Sequence, residues 1–243
     1  MSSPAAGQAD AAGHTVIVAG GAGGIGRGLV AALLAGGAQV AALDLAENPA
    51  ASLSITCDVT DQGAVDSALA KVTAELGAPT RLVCAAGVVS ESPLADLDPR
   101  EWQRVMDVSL TSAFLLTRAV IPGMVACGGG VIVTMSSGFA RKGYPLGAHY
   151  AAAKSGVEAL TKSIALEYAG HGIRCNSVAP GPIRTAMIND NPAFDEASRA
   201  ALIPMGRIGE VADVVDPVMF LLSDASRYIT GQVLHVNGGM LMP

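Results

Sequence analysis

The sequence predicts an α/β fold: a single doubly wound domain whose seven-stranded parallel sheet is flanked by helices on both faces. Short, continuous apolar runs alternate along the chain with longer segments of helical period. Strands that are apolar throughout are typical of a parallel sheet covered on both faces. Because no repeat or linker interrupts this alternation over 243 residues, one domain is the simplest organisation.

Each predicted strand is a short run rich in β-branched and other apolar residues. In chain order the seven runs read "TVIVAG", "QVAALDL", "LSITCDV", "RLVCAAG", "GVIVTMSS", "IRCNSVAPG" and "QVLHVNGG". Each predicted helix is a longer segment in which apolar residues recur at helical spacing. The helices cover "GIGRGLVAALLAGG", "DQGAVDSALAKVTAELG", the stretch from Pro99 to Cys127, and residues 148–169 and 210–222.

Two segments fall outside this alternation. Residues 1–13 have no basic start followed by an apolar block, so we predict a flexible leader rather than a secretory signal, followed by one domain over 14–243. Residues 184–206 are long, mixed in polarity and placed between a strand and a helix. Because doubly wound sheets bind ligands beyond the carboxyl ends of their strands, we predict that this segment is a substrate lid.

Composition argues against several kinds of partner. Hydrophobic residues make up 51% of the chain and charged residues 15%, and the formal net charge is −6. An acidic, sparsely charged protein is not expected to bind nucleic acid or an anionic membrane, and no apolar run reaches the roughly 18 residues of a membrane span. We therefore expect a cytoplasmic protein, part of whose surface is covered by other subunits.

The four cysteines indicate neither a metal site nor a redox pair. Cys57, Cys84, Cys127 and Cys175 are too scattered for zinc-ligand or Cys-x-x-Cys spacing. Each lies in or beside an apolar stretch, so we predict four buried, reduced thiols. The histidines are also dispersed, and no metal is expected.

A glycine cluster in "VIVAGGAGGIGRGLV" lies directly between the first strand and the first helix. Glycine lets the backbone turn sharply and approach a pyrophosphate at the positive end of the helix, so Gly20, Gly24 and Gly26 predict a dinucleotide-binding turn. Asp44 ends the second strand 18 residues after Gly26, where an acid binds the ribose hydroxyls. A carboxylate there repels the 2′-phosphate of NADP, and no basic residue precedes Gly24 in the turn or closely follows Asp44, so NAD is the predicted cofactor.

In "HYAAAKSGVEAL", Tyr150 and Lys154 are four residues apart and therefore share one face of a predicted helix. Oxidation of an alcohol removes a hydroxyl proton while hydride leaves carbon. A free tyrosine, with a pKa of about 10, is a poor base near neutrality, but a neighbouring ammonium lowers that pKa. The pair therefore predicts a catalytic base, whereas on an isolated helix it would be surface decoration. His149 points about 100° away from Tyr150 around the helix, which favours an orienting or surface role.

Together these motifs resemble the classical short-chain dehydrogenase/reductase family over residues 14–240. The family's Thr-Gly-x-x-x-Gly-x-Gly turn corresponds to residues 19–26, with alanine in place of the threonine. Its Tyr-x-x-x-Lys corresponds to Tyr150 and Lys154, and the serine thirteen residues upstream is Ser137. The Asp-Val that meets adenine and the Pro-Gly segment that embraces the nicotinamide correspond to Asp58-Val59 and Pro180-Gly181-Pro182-Ile183, with Thr185 following.

The resemblance implies a Rossmann-type domain that transfers hydride between NAD and a substrate. Tyr150 would be the base in oxidation and the acid in reduction, Lys154 would also bind the nicotinamide ribose, and Ser137 would hydrogen-bond the substrate oxygen. The cofactor-binding residues that it implies are Gly20, Gly24, Ile25, Gly26, Asp44, Asp58, Val59, Ala85, Ala86, Gly87, Tyr150, Lys154, Pro180, Gly181, Ile183 and Thr185.

Two positions depart from the family pattern. The Asn-Asn-Ala-Gly after strand 4 reads Cys84-Ala85-Ala86-Gly87 here. The helix asparagine that often completes a catalytic tetrad, by supporting a water on a proton route through the lysine, is replaced by Ser109. Ser109 is therefore the fourth catalytic candidate, and whether its shorter side chain serves that route is left open.

The substrate pocket is expected to be mostly apolar. The residues predicted to line it are Phe139, Tyr144, Leu146, Met187 and Met205. No arginine cluster marks an anionic substrate, so we expect a neutral, apolar secondary alcohol and its ketone, with cyclic and terpenoid alcohols as candidates. Two alternatives stay open: a carbonyl or 3-oxoacyl reductase that acts mainly in the reducing direction, and a dinucleotide-binding regulator with weak turnover.

The resemblance also implies a homotetramer, with a dimer as the next expectation. Family members pack their two long helices, here about 99–127 and 148–169, and their C-terminal strand across two-fold axes. The alanines of the second helix would permit close approach, and the apolar C-terminal "GGMLMP" would be costly to leave in water.

Overall fold

The computed structural model describes residues 11–186 and 195–242. The strands are β1 (Thr15–Ala19), β2 (Gln39–Asp44), β3 (Leu53–Thr56), β4 (Arg81–Cys84), β5 (Gly130–Met135), β6 (Ile173–Pro180) and β7 (Val233–Val236). They form one parallel sheet in the order β3-β2-β1-β4-β5-β6-β7, and each lies within one of the seven predicted runs. The predicted fold class is confirmed.

Helices cover both faces of the sheet. Those in the described part of the chain are α1 (Gly24–Ala35), α2 (Gln62–Leu76), α3 (Pro99–Met106), α4 (Ser112–Ala126), α5 (Phe139–Lys142), α6 (Ala148–Tyr168), α7 (Glu196–Ala201) and α8 (Val211–Leu222). Side chains of α1 and α8 share one core cluster, whereas those of α2, α4 and α6 share the other. The molecule is therefore a three-layer sandwich with two cores.

Alternate residues of each central strand enter the two cores. In β1, Ile17 and Ala19 pack in the cluster under α2, α4 and α6, while Val16 and Val18 pack in the cluster under α1 and α8. A polar side chain on either face of this strand would be buried, at a cost of several kcal/mol if it found no partner (roughly 2–7). This is the physical reason why the strand is apolar throughout rather than alternating.

The predicted helix from Pro99 to Cys127 contains a change of winding. Asp98 caps the first part by accepting a hydrogen bond at its carboxylate from a backbone amide of the first turn. Residues Asp107–Thr111 then form a π-helical turn before α4 continues. Such insertions are rare and often occur at functional sites. This one carries Ser109.

The same segment, Pro99–Ala126, is long and apolar enough by composition to cross a membrane, with a mean hydropathy of 1.5. Half of the most apolar 18-residue stretch of this segment is nevertheless buried within the domain. Leu116, Val120 and Met124 of α4 pack against the sheet in the core under α2, α4 and α6. Packing in the core accounts for the apolar character of this segment.

One of the four cysteine predictions was wrong. Cys57, Cys84 and Cys175 are buried free thiols, but Cys127 is exposed. Cys127 is the residue at which α4 ends, and Gly128 follows it with a positive φ of 81° on the way to β5. An apolar neighbourhood in sequence therefore did not imply burial, because the chain reverses at the surface there.

The predicted leader and lid lie partly outside the described residues. Residues 1–10 and 187–194, the latter including the pocket candidate Met187, are not described. Ala11 is buried in the core under α1 and α8, so the chain packs against the domain from residue 11 onward. In the lid segment, α7 is described and begins after Asp195, whose carboxylate accepts a hydrogen bond from Ser198 N.

Candidate active site

The predicted site residues meet at the carboxyl edge of the sheet, where the loops after β1, β2, β4, β5 and β6 converge. The strand order reverses between β1 and β4, and doubly wound sheets bind ligands in the crevice at such a point. A cavity of about 630 Å³ opens there. The sequence-predicted residues on its wall are Ile25, Ala85, Gly87, Ser137, Phe139, Tyr144, Tyr150, Lys154, Pro180, Gly181, Ile183 and Thr185.

Two glycines of the turn between β1 and α1 have no room for a side chain. Gly20 has a φ of +77°, and a Cβ there would lie 2.6 Å from the backbone nitrogen of Ala86. A Cβ at Gly26 would lie 2.0 Å from the carbonyl oxygen of Gly20. Helix α1 begins after Gly23 with neither a side-chain cap nor an acidic residue in its first turn. The turn thus presents bare backbone and the positive end of a helix, a surface that fits a pyrophosphate.

Asp44 lies beside this turn, as its position at the end of β2 suggested. Its Oδ2 accepts a hydrogen bond from Ala22 N at 3.0 Å, and its Oδ1 accepts one from Ala46 N at 3.2 Å. Sequence reasoning missed a cation nearby: Arg27 donates to the carbonyl oxygens of Ala22 and Glu47, at 2.8 and 3.4 Å. Arg27 is distant from Asp44 in sequence, so only the folded turn brings a guanidinium to this edge.

Asp58 and Val59 follow β3 at the same edge of the sheet. The Asp58 carboxylate accepts hydrogen bonds from the backbone and hydroxyl of Thr60, at 2.9 and 2.7 Å, and these bonds lower the pKa of Asp58. Val59 is buried. Neither residue is on the wall of the cavity, so their predicted contact with adenine stays a prediction.

Ser137, Tyr150 and Lys154 come together on the cavity wall. Ser137 follows β5 and is hydrogen-bonded to the phenol of Tyr150. Lys154 lies one turn after Tyr150 on α6, with its Nζ 5.7 Å from the centre of the phenol ring. The ammonium donates a hydrogen bond of 2.8 Å to the carbonyl oxygen of Met135, which holds it at the end of β5. The end of β5 and the start of α6, which are neighbouring segments of the chain, thus assemble the predicted catalytic group.

The pKa shift of Tyr150 beside Lys154 differs from the one that the sequence predicted. Burial raises the pKa of Tyr150, and the hydrogen bond with Ser137 opposes that rise. Burial also lowers the pKa of Lys154 to about 8. The prediction that Lys154 holds the pKa of Tyr150 below its usual value was therefore wrong for the protein alone. The physical reason is desolvation, which disfavours the charged form of both groups and is the largest cause of each shift.

Ser109 lies next to Lys154 across Gly87. A Cβ at Gly87 would be 3.1 Å from Lys154 Nζ and 3.8 Å from Ser109 Oγ, so both side chains reach the same small space. Ser109 is buried, and its hydroxyl is 3.4 Å from both the nitrogen and the carbonyl oxygen of Val88. The structure therefore brings the fourth candidate to the catalytic group, although its role stays a prediction.

The loop after β6 forms the opposite side of the crevice. Pro180, Gly181 and Ile183 are on the cavity wall, and Gly181 N donates to Val236 O at 2.9 Å. A Cβ at Gly24 would lie 2.8 Å from Thr185 Cγ2. The loop and the glycine turn therefore face each other closely, which leaves a narrow crevice of the kind that holds a dinucleotide.

An aromatic platform stands beside the catalytic group. The rings of Phe139 and Tyr144 are stacked with centroids 3.9 Å apart, and Tyr150 meets both edge-on at 6.5 and 6.3 Å. Two other pocket predictions were wrong: Leu146 and Met205 are largely exposed and are not on the cavity wall. Leu146 also has a positive φ of 65°, a backbone conformation that is uncommon for a residue with a branched side chain.

Sequence reasoning missed a polar part of the wall. Ser90, Glu91 and Arg199 line the cavity on the same side as Tyr144, whose hydroxyl donates a hydrogen bond to the Glu91 carboxylate. These residues belong to loops and to a short helix, and no spacing in the sequence marks them. The observed wall is thus apolar on the platform and polar around it, rather than apolar throughout.

His149 is fully buried, so the expectation that allowed it a surface role was wrong. Its Nε2 is 2.8 Å from the hydroxyl oxygen of Ser90. That hydroxyl also lies 2.5 Å from Glu101 Oε1, and Arg104 donates two hydrogen bonds of 2.7 Å to the same carboxylate. The cluster ties the loop after β4 to α3 and α6. A helical wheel could place His149 away from Tyr150 but could not show that the loop covers it.

Known proteins similar to this chain share both its sequence pattern and its fold. The family described as enoyl-(acyl carrier protein) reductase matches residues 20–241. The chain is 37% identical over 239 residues to 3-oxoacyl-[acyl-carrier-protein] reductase FabG of Escherichia coli (strain K12), covering 95% of this chain and 98% of that protein. It is 36% identical over 238 residues to cis-4-hydroxycyclohexanecarboxylate dehydrogenase of Sinomonas cyclohexanicum, covering 93% and 96%. A crystal structure of a short-chain type dehydrogenase/reductase from Mycobacterium marinum has a TM-score of 0.91 and 34% identity, covering 96% of this chain and 98% of that one.

Proposed function

The chain belongs to the short-chain dehydrogenase/reductase family, and from this premise we propose that it transfers hydride between NAD and a secondary alcohol or its ketone. One observation carries the proposal. Ser137, Tyr150 and Lys154 share the wall of a cavity with residues of the bare glycine turn and of the β6 loop. A phenol, a hydroxyl and an ammonium beside a dinucleotide crevice are the groups that alcohol oxidation requires.

Each residue of the group has a distinct task. In oxidation, Tyr150 Oη takes the proton of the substrate hydroxyl while hydride leaves the carbon that bears it. A nicotinamide held between the glycine turn and the loop after β6 would supply the hydride acceptor. Ser137 hydrogen-bonds the substrate oxygen as its charge changes, and Lys154, held by its hydrogen bond to Met135, would bind the nicotinamide ribose. In reduction, Tyr150 returns the proton to the carbonyl oxygen.

The aromatic platform supports a substrate that carries a ring or an apolar body. Stacked Phe139 and Tyr144 offer a flat apolar surface beside Tyr150, on which a cyclic alcohol would lie with its hydroxyl towards the phenol. The similarity to a dehydrogenase named for cis-4-hydroxycyclohexanecarboxylate supports a cyclic alcohol, although that molecule also carries a carboxylate. We therefore retain a neutral secondary alcohol, with cyclic examples first.

A 3-oxoacyl reductase is the second candidate. The 37% identity to FabG and the description of the matching family favour it. An acyl carrier protein or CoA ester brings negative charge, but two arginines near the cavity are already ion-paired. Arg141 pairs with Glu158 at 2.6 Å, and Arg184 pairs with Glu196 and Glu210 at 2.6 and 3.0 Å. Arg199 lies on the cavity wall itself, so the choice of a small neutral alcohol rests on the aromatic platform rather than on a lack of cationic side chains.

A substrate panel tests the proposal. Reduced cofactor is measured with cyclic and acyclic secondary alcohols, and its consumption is measured with the matching ketones and a 3-oxoacyl thioester, using NAD and NADP in parallel. Oxidation of the alcohols with NAD is the expected result. A clear preference for the thioester would replace the first candidate by the second. Cofactor binding without turnover, unchanged in Tyr150→Phe, would instead indicate a regulator.

Asp44→Ala is expected to reduce the preference for NAD over NADP. The carboxylate accepts hydrogen bonds from the ribose 2′-hydroxyl and repels a 2′-phosphate, so the NAD/NADP ratio of kcat/KM should fall by about 10- to 100-fold. Arg27, left beside the site, would then be free to pair with the phosphate.

Two control variants separate the effect of the charge of Asp44 from the effect of its hydrogen bonds. Asp44→Asn removes the charge but keeps one acceptor oxygen for the backbone amide of Ala22 or Ala46, and Glu47→Ala removes a neighbouring carboxylate from the same loop. The asparagine variant should resemble Asp44→Ala, and the Glu47 variant should resemble the unchanged protein. An unaltered cofactor ratio in both Asp44 variants would remove Asp44 from the cofactor site.

Ser109→Asn is expected to preserve or raise kcat. Ser109 and Lys154 reach the same space beside Gly87, and a longer amide would support a water on a proton route through the lysine better than a hydroxyl does. Ser109→Ala is the matched variant and should lower kcat, with both measured as steady-state oxidation of the best alcohol. A large loss in Ser109→Asn would show that the serine acts in some other way.

We also propose a homotetramer of cytoplasmic location. Phe114 on α4 and Leu166 on α6 are exposed apolar side chains on the two helices that the family resemblance places at subunit interfaces. Light scattering during size exclusion should give four times the chain mass of 24.4 kDa.

A further inference from the structure

The hydrogen bonds around Ser90, of which His149 is the fully buried partner, determine where the protons of this cluster lie. Arg104 and Ser90 lower the pKa of Glu101 to about 2, so its carboxylate is ionised and only accepts hydrogen bonds. Ser90 has a single hydroxyl proton, which goes to Glu101. His149 must then carry its proton on Nε2 and donate it to Ser90. Its other ring nitrogen, Nδ1, has no partner among the described residues, which suits an unprotonated atom better than a buried donor.

This arrangement leaves one unused acceptor on the cavity wall. A hydroxyl oxygen has two lone pairs, and that of Ser90 uses one of them to accept from His149. Since its proton is held by Glu101, the oxygen has nothing to donate and one lone pair to offer. Ser90 lines the cavity, and its partner His149 directly precedes Tyr150 on α6. Ser90 therefore offers this lone pair on the wall of the same cavity that Tyr150 lines.

Glu91, the next residue on the same wall, adds a second acceptor. One of its carboxylate oxygens accepts from Tyr144, and the group as a whole has no proton to give when ionised. Two adjacent acceptors favour a ligand that presents hydrogen-bond donors. A neutral molecule offers such donors most simply as hydroxyl groups.

Resting on the proposed oxidoreductase function, we propose that Ser90 determines specificity by accepting a hydrogen bond from a second hydroxyl of the substrate. The preferred substrates are then diols and hydroxylated ring alcohols. The reacting hydroxyl lies at Ser137 and Tyr150, and the second lies at Ser90. A mono-alcohol of the same ring size fills the cavity but leaves this acceptor unused.

The test compares trans-1,2-cyclohexanediol with cyclohexanol in the complete protein. Ser90→Ala should lower kcat/KM for the diol by about tenfold, a typical value for one lost hydrogen bond in a polar site, while that for cyclohexanol changes by less than about twofold. Ser90→Cys keeps the size of the side chain but is a poor acceptor, so it should act in the same direction if the alanine variant is unstable. Ser92→Ala is the matched control, because that serine lies on the same loop but not on the cavity wall.

A second measurement determines directly which ring nitrogen of His149 carries the proton. Nitrogen chemical shifts of the His149 ring should show a proton on Nε2 and none on Nδ1, and Ser90→Ala should shift the Nε2 signal. A proton on Nδ1 would overturn the proposal. Equal losses for the diol and cyclohexanol, or no loss for either, would also overturn it while leaving the proposed function intact. A preference for hydroxy acids that is unchanged in Ser90→Ala would likewise overturn the proposal. It would indicate that Arg199, rather than Ser90, determines specificity. Failure of the unchanged protein to oxidise any alcohol with either cofactor would overturn the proposed function itself.

Discussion

Tyr150→Phe is expected to lower kcat for alcohol oxidation by about 10³-fold, the middle of the range for loss of a positioned acid–base group. The ring stays, so its edge-on contacts with Phe139 and Tyr144 and the packing of α6 are retained. Only the phenolic oxygen, which would accept the substrate proton, is removed. The loss should therefore appear in kcat far more than in KM or in the affinity for the dinucleotide.

The measurement is steady-state formation of reduced cofactor, with dinucleotide affinity determined separately by calorimetry. Tyr168→Phe makes the same chemical change at a half-buried residue near the end of the same helix. Tyr168 is not on the cavity wall, so this variant should leave kcat within about twofold. Retention of more than about a tenth of the activity in Tyr150→Phe would be incompatible with the assigned role, given the size of acid–base contributions.

Ser137→Ala is expected to lower kcat/KM by about 10²- to 10³-fold, the usual cost of removing one donor aimed at a developing oxyanion. A second effect follows from the electrostatics of the site. The hydrogen bond with Ser137 lowers the pKa of Tyr150 against the rise that burial causes. Its loss leaves burial unopposed, so the pKa of Tyr150 rises. Because oxidation needs the deprotonated phenol, the ascending limb of the pH–rate profile should move to higher pH.

The pH profile distinguishes this role from a merely structural one. Ser163→Ala, an exposed serine that donates to a carbonyl oxygen within α6, should change neither the rate nor the position of the limb. Ser137→Thr keeps a hydroxyl and should recover part of the rate and of the original pH dependence. Two functions are assigned to Ser137: it hydrogen-bonds the substrate oxygen, and it lowers the pKa of Tyr150. Both would be contradicted if Ser137→Ala kept full activity, or if its kcat and the ascending limb of its pH–rate profile were unchanged.

Much of the catalytic group was predictable because its signals are local. The four-residue spacing of Tyr150 and Lys154 places them on one face of any helix, whatever packs around it. The order of strands and helices follows equally from short apolar runs, and the glycine turn lies where one run meets the next helix. What spacing could not supply was the acid–base balance, since the pKa values of Tyr150 and Lys154 depend on how much water their surroundings remove.

Hydrophobic periodicity and turn chemistry were thus sufficient for the sheet, the longer helices and the positions of Tyr150 and Asp44, whereas Ser137 was identified through the resemblance to the family. The folded chain alone decided which distant segments meet. It placed Arg27 beside Asp44, Ser109 beside Lys154 and Ser90 on the cavity wall, and it buried His149 while exposing Cys127. The physical reason is that hydrogen-bond partners, desolvation and the direction of loops are set by contacts between residues far apart in the chain, and no local pattern encodes those contacts.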